Sequence, residues 1–302
     1  MNVLVAGGSG TIGLPLVRAL LTAGHQVTAL SRSTTRHDEL RGLGATVVTA
    51  DALDREALGA AILRARPTHV IHQLTALPKR GPRSASDLEA TNRLRIDGTR
   101  NLLEASIEAG ARRFIAGSFA VLSGRGGQPS TSSNAAAAAV QSMERQVLDA
   151  AKRGAIEGLV LRYGLFYGRD VPSTAAMIAM VRKRRLPVVR GDAGQLPIIH
   201  IDDAVTATVL ALDHGAGGGT YDIVDDRAVS LAEIVSAIAE YSASPKPWRV
   251  PAWLIRLLSP YMARMMSTRL SLSNAAAKKE LGWRPLYPTL QDGVATMLIQ
   301  VA

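Results

Sequence analysis

Three glycines spaced three apart, Gly7, Gly10 and Gly13, follow the apolar run Val3-Leu4-Val5-Ala6 and lead into an amphipathic stretch from Leu14 to Leu21. A strand, a glycine turn and a helix start in that order form a socket for a dinucleotide pyrophosphate. The tight turn needs positive φ, the phosphate needs bare backbone N–H groups, and the helix must pack close to the strand, so side chains there would block the ligand. The glycines also admit the register Gly8-x-Gly10-x-x-Gly13. The alternation of Val3 and Val5 puts the first glycine after the strand at Gly7 and selects the first register. Thr11 and Ile12, inside the turn, join the expected contacts.

The adenosine ribose is held roughly 20 positions further on, at the end of the second strand. That strand, His25 to Leu30, ends in Ser31-Arg32-Ser33. An acidic residue there would bond the free 2′-hydroxyl of NAD. Ser31 with Arg32, and Arg36 close behind, suits a 2′-phosphate instead, so NADP is expected and NAD is the alternative. Arg32 also reads as a plain solvated loop arginine. A third strand, Thr46 to Ala50, is followed by Asp51, placed to accept a bond from the adenine amino group, with Ala52 beside it.

The elements that must carry these groups alternate through the first two-thirds of the chain. Helices are expected at 14–23, 55–64 and 87–109, and strands at 69–73, 113–117 and 158–162. This order predicts an α/β fold, a Rossmann-like doubly wound parallel sheet with helices on both faces. At 302 residues the chain exceeds one such unit, and a smaller, mostly helical C-terminal substrate region is expected beside it. The division places the dinucleotide-binding domain at 1–165 with a returning part at about 196–228, and the substrate region at 166–195 and 229–302. Segment 123–134 reads as loop, followed by an alanine-rich helix to about 153 capped by Ser133 or Asn134. A helix starts after Pro172, a strand spans 198–201, and 187–194 and 213–219 read as loops. An amphipathic helix spans 231–241, and the apolar run Trp248, Pro251, Trp253, Leu257, Tyr261, Met262, Met265 and Met266 reads as core packing or as a lid over an apolar pocket.

Composition bounds the partners. The chain has no cysteine, which removes disulfides, thiolate nucleophiles and cysteine-ligated metals. Its net charge is +10, but the arginines are dispersed and aromatics are 4% of residues, so nucleic acid is not expected. The dense cluster Arg182 to Arg185 is expected to compensate a helix C-terminus. No stretch is long and apolar enough for a membrane span and no basic signal sequence opens the chain, so a cytoplasmic protein without a membrane partner is expected. His200, Asp202 and Asp203 do not share a face, and no metal is expected there.

The order of motifs resembles the extended short-chain dehydrogenase/reductases, the NAD-dependent epimerase/dehydratase group. The resemblance runs through Gly7 to Gly13, Val70-Ile71-His72-Gln73-Leu74-Thr75-Ala76, Gly98-Thr99-Arg100-Asn101-Leu102-Leu103, Arg113-Phe114-Ile115, Leu161-Arg162-Tyr163-Gly164, Tyr167-Gly168, His200 to Ala204 and Ala277 to Pro285. It implies that Leu74 and Thr75 also contact the coenzyme, and that one of Asp202 and Asp203 ties strand to helix. It also implies a homodimer formed through the helices near 87–109 and 134–153.

The family's usual catalytic pair, a tyrosine with a lysine four residues later, is missing. The resemblance puts Ala139 at the tyrosine position and Met143 at the lysine position, and no tyrosine of the chain has lysine four residues on. Phe119 stands at the usual substrate-binding serine or threonine, with Ser118 one residue early, and Arg95 replaces the usual asparagine before Gly98-Thr99. Three readings follow: an NADP-dependent reductase or dehydrogenase acting on a small, largely apolar substrate, a redox-neutral cyclase or isomerase, or a non-catalytic NADP sensor. For the first, Ser118, Tyr163 and Tyr167 are the candidate proton donors. Ser118 also reads as a cap on backbone groups, and the two tyrosines as core residues with satisfied hydroxyls. Reduction of an activated C=C or an iminium would tolerate the lost pair.

Overall fold

The structure is a computed structural model that describes residues 1–78, 82, 84–123, 135–189, 194–251, 253 and 269–298. Seven parallel strands form the central sheet in the order β10-β6-β5-β4-β1-β2-β3, with β1 Asn2–Ala6, β2 Gln26–Leu30, β3 Thr46–Val48, β4 His69–His72, β5 Arg113–Phe119, β6 Glu157–Tyr163 and β10 Thr220–Ile223. Val3 to Ala6 are buried on both faces, as a strand covered by helices on either side must be.

One face carries α1 (Gly13–Thr22), α2 (His37–Gly42) and α8 (Ile201–Leu210), with Leu16, Val17, Leu20, Leu40 and Val205 meeting Val5, Ile115 and Leu161 of the sheet. The other face carries α3 (Arg55–Ala65), α4 (Glu89–Arg93), α5 (Thr99–Glu108) and α6 (Ala135–Lys152), where Leu58, Leu102 and Val147 pack on Leu4, Phe114 and Val160. The helix expected at 87–109 is interrupted. A π-helical turn, Leu94–Gly98, lies between α4 and α5 and offsets their faces, so that Leu94 and Leu102 both reach the core.

A third cluster gathers residues beyond β6. Here β7 (Leu165–Tyr167) pairs with β9 (Ile198–His200), and α7 (Pro172–Arg182) packs against α9 (Leu231–Tyr241). α9 buries Leu231, Ile234, Val235 and Ile238 at helical spacing, and a reciprocal capping box of Ser230 and Glu233 fixes its start. The short strands β8 (Val188–Val189) and β11 (Arg249–Val250) pair in parallel, where the sequence reads as loop. Helices α10 (Ala275–Glu280) and α11 (Leu290–Val294) follow.

Three residues of the run expected in a core or lid lie on the surface: Trp248 is 62% exposed, Trp253 is 65% exposed, and Pro251 between them is exposed too. Trp248 flanks the edge strand β11 and lies under the guanidinium of Arg184, 5.3 Å from the ring centroid, which leaves its outer face open. Leu257, Tyr261, Met262, Met265 and Met266 lie outside the described residues, as do the capping residues Ser133 and Asn134.

Candidate active site

The glycine turn is fixed by close packing. Gly7 has φ +89°, its N–H donates to Leu30 O at 2.9 Å, and a Cβ on it would lie 2.7 Å from the carbonyl oxygen of Gln73. The Gly10 N–H donates to Gly7 O at 2.9 Å, and a Cβ at Gly13 would approach that oxygen to 2.0 Å. Gly8 is confined as well, since a Cβ on it would lie 2.8 Å from Ala29 Cβ, so the turn requires glycines in both registers, and Thr11 and Ile12 lead straight into α1. Leu14 and Leu16 N–H donate to Gly10 O and Ile12 O and Pro15 has no N–H, so what α1 turns toward the space beyond β1 is chiefly the positive end of its dipole.

The ribose end assembles around Ser9. Ser31 is buried and donates to Ser33 O at 3.1 Å, which leaves Ser9 Oγ to donate to Ser31 Oγ at 2.6 Å. Arg36 Nη1 donates to Ser9 O at 3.5 Å, and Arg32 Nη1 lies 3.5 Å from Asp51 Oδ2, both arginines remaining open to solvent. Asp51 Oδ1 accepts the Leu53 N–H at 3.0 Å, and Ala52 is buried. At the end of β4, the Leu74 N–H donates to His72 Nδ1 at 3.1 Å and Thr75 follows. A cradle that a single Cβ would fill, a helix start behind it and two exposed guanidinium groups beside a buried serine fit a dinucleotide.

The reaction end is different in kind. Ala139 and Met143 of α6 are buried, and neither can move a proton. Ser118 donates to Glu144 Oε1 at 2.6 Å, and Arg162 grips both oxygens of Glu144 from Nε at 2.8 Å and from Nη2. Burial opposes the Arg162 charge, but the Glu144 bonds and charge outweigh it and raise the guanidinium pKa above its ordinary value.

Tyr163 stands next to Arg162 on β6 and therefore projects to the opposite face, among the residues that pack on α1 and α8. Thr208 gives its proton to Ala204 O at 2.6 Å, so Tyr163 donates to Thr208 Oγ1 at 2.7 Å and accepts from Gln73 Nε2 at 3.0 Å. Burial pushes this phenol up to about 12, with the Thr208 and Gln73 bonds acting the other way.

Tyr167 lies in the third cluster, donating to Asp225 Oδ2 at 2.9 Å with Thr289 O at 3.3 Å. Burial, and then the Asp225 charge, push its pKa far up, while burial pushes Asp225 itself up to about 8. Ser118 and Tyr163 thus sit on adjacent strands facing opposite ways, and Tyr167 belongs to a separate cluster.

Strand and helix are joined by a residue other than the two aspartates. His200 Nδ1 accepts the Asp202 N–H at 3.3 Å and caps α8, while Asp203 accepts the backbone N–H groups of Leu286 at 2.6 Å and Tyr287 at 2.9 Å. Asp203 therefore ties α8 to the C-terminal segment.

Sequence reasoning gave no role to Gln73, Glu144 or Arg162. Glu144 and Arg162 lie 18 residues apart on a helix and a strand, and only folding brings them together. The available signal was charge placed where an apolar residue fits the pattern, as in Leu159-Val160-Leu161-Arg162-Tyr163.

A sequence model of the NAD dependent epimerase/dehydratase family matches residues 3–224. The chain is similar to a Streptomyces protein named 3-diazoavenalumate denitrifying reductase, 38% identical over 97% of this chain and 99% of that one. It is also similar to ceramide reductase of Caulobacter vibrioides, 30% identical over 82% of this chain and 73% of that one. Among solved structures, a UDP-glucose 4-epimerase of Thermus thermophilus in complex with NAD superposes with TM-score 0.78 at 25% identity, covering 98% of this chain and 97% of that one. The UDP-glucose 4-epimerase of Thermotoga maritima with UDP-glucose gives 0.80 at 22% identity, over 98% and 97% of the two chains. Motif order, parallel sheet, glycine socket and these likenesses agree: the chain belongs to the NAD dependent epimerase/dehydratase family.

Proposed function

We propose that this protein is a nicotinamide-dependent reductase whose acceptor needs no proton from the enzyme, and that the acceptor is an aromatic acid bearing a diazo group. The carrying observation is the state of the reaction end: Ala139 and Met143 are inert, and the hydroxyls of Ser118, Tyr163 and Tyr167 are all bonded inside the core. Carbonyl reduction needs a proton on oxygen as hydride arrives on carbon. Displacement of a diazo group does not. A bound reduced nicotinamide would supply hydride, and exchange of that hydride for the diazonium group on an aryl carbon would give the arene, dinitrogen and oxidised nicotinamide, balanced in atoms and charge without a proton.

The 38%-identical relative named as a denitrifying reductase supports this chemistry. A diazonium group on an aromatic carbon survives long enough to reach an enzyme, whereas an alkyl diazonium sheds dinitrogen unaided, which supports an aryl carbon as its bearer in the proposed substrate. The protein's part is to hold coenzyme and ring together and to exclude water, which competes as a nucleophile. Ser31, Arg32 and Arg36 favour the 2′-phosphate of NADP(H), and the described elements beyond β6, namely β7, α7 and α9, would bound the ring.

The test incubates the protein with NADPH doubly deuterated at C4 of the nicotinamide and a diazotised aminocinnamic acid. Deuterium at the former diazo carbon, formed faster than without protein and accompanied by dinitrogen, is expected. Product labelled from D2O rather than from the coenzyme, or turnover without coenzyme oxidation, contradicts the proposal.

A further inference from the structure

Arg95 stands in the π-helical turn between α4 and α5, 8% exposed, with Nη1 buried and unbonded. Burial depresses its pKa to about 10, and among the described residues no carboxylate offsets that loss. Arg162, whose Nη1 is also unbonded, has Glu144 as a counter-ion, whereas Arg95 has none. Holding a guanidinium out of water without an anion is unfavourable, and π-turns persist mostly where function requires them.

The position is informative. His72, the last residue of β4, bonds through Nε2 to Thr99 Oγ1 at 2.9 Å, and Thr99 directly follows the π-turn, which sets the turn beside the carboxyl end of β4. The next residue of that strand end, Gln73, crowds Gly7 of the coenzyme turn. On the other side, Gln146 of α6 donates to Ile96 O in the same π-turn at 3.1 Å. Arg95 is therefore set between the glycine socket and the helix that carries Ala139 and Met143.

We propose that Arg95 is an oxyanion-recognition residue, a guanidinium left unpaired by the protein so that the carboxylate of an acidic aromatic substrate can pair with it. This rests on the reading of the substrate as an acid. A guanidinium presents a planar fork of donors matched to a carboxylate, and ligand binding supplies the counter-ion that the fold withholds. The same chemistry would suit a coenzyme phosphate, and the experiment separates the two sources.

The protein saturated with NADP+ is titrated calorimetrically with cinnamic acid and with its methyl ester, as wild type, R95M and R95K, and each form is melted without ligand. Wild type should prefer the acid at least tenfold. R95M should lose that preference with ester affinity unchanged, and should melt no lower than wild type, because it removes a buried unpaired charge. R95K, which keeps the charge without the fork, should keep a reduced preference. This variant decides the matter should R95M not fold. An undiminished acid preference in either variant overturns the proposal. So does a loss confined to NADP+ affinity, which would assign Arg95 to the coenzyme. Hydride transfer to diazotised aminocinnamate is measured separately: its absence with the acid preference intact refutes the reaction, not the role of Arg95.

Discussion

The hydroxyls of Ser118, Tyr163 and Tyr167 can each be followed to a proton acceptor within the protein, Glu144, Thr208 and Asp225 in turn. Replacing Tyr163 or Tyr167 by Phe should leave the hydride-transfer rate nearly unchanged, in place of the about 10²–10⁴-fold loss that follows removal of a general acid. The cost falls on stability instead. Tyr163→Phe strands Gln73 and Thr208 partners and should destabilise by about 1–3 kcal/mol in urea titration.

Asp225 adds a pH dependence whose sign is set by its burial. The folded chain keeps it protonated to about 8, whereas its ordinary value is 3.8. Between those limits the folded state holds the additional proton, so the Asp225 contribution makes stability fall as pH rises from about 4 to about 8 and stay level above. Asp225→Asn should flatten that slope in urea titrations at pH values inside and above the window. Which way these side chains face was hidden from the sequence: Arg162 and Tyr163 are neighbours, and only the register of β5 and β6 sends one toward Glu144 and the other toward Thr208.

At the scale of elements, the glycine turn and α9 were legible because each is specified locally. Positive φ, close approach and helix start all act on Gly7 to Gly13, and a capping box with helical apolar spacing defines Leu231–Tyr241 to the residue. Gly13→Ala should abolish coenzyme binding and lower stability by about 1–3 kcal/mol, as overpacking does, because its Cβ would meet Gly7 O at 2.0 Å. Ser230→Ala should cost about 1 kcal/mol, measurable by thermal melting, without affecting the coenzyme. The π-turn was not legible. Apolar periodicity continues through Leu94, Leu102 and Leu103, and only the backbone shows the widened turn around Arg95. Of the short strands, β9 was legible at 198–201, whereas β7, β8 and β11 escaped, since three or two residues carry little alternation to read.

At the scale of the whole molecule, the fold class follows from the alternation of elements, while specificity depends on groups that meet across the chain. We propose that the cluster of Ser31, Arg32 and Arg36 around Ser9 sets the preference between coenzymes. Arg32→Glu should raise the Kd for NADPH by at least about tenfold, in keeping with a lost charge-assisted bond, while NADH binding changes little when both are followed by fluorescence titration. The expected homodimer through 87–109 and 134–153 predicts twice the chain mass of 31.9 kDa in light scattering, and a monomer would contradict it.

The central claim, hydride transfer without a protein proton donor, is tested most directly by single-turnover kinetics on diazotised aminocinnamate with C4-deuterated NADPH, in H2O and in D2O. The account predicts a primary isotope effect from the coenzyme and none from the solvent. A solvent isotope effect on the hydride step, with proton transfer coupled to it, would contradict it.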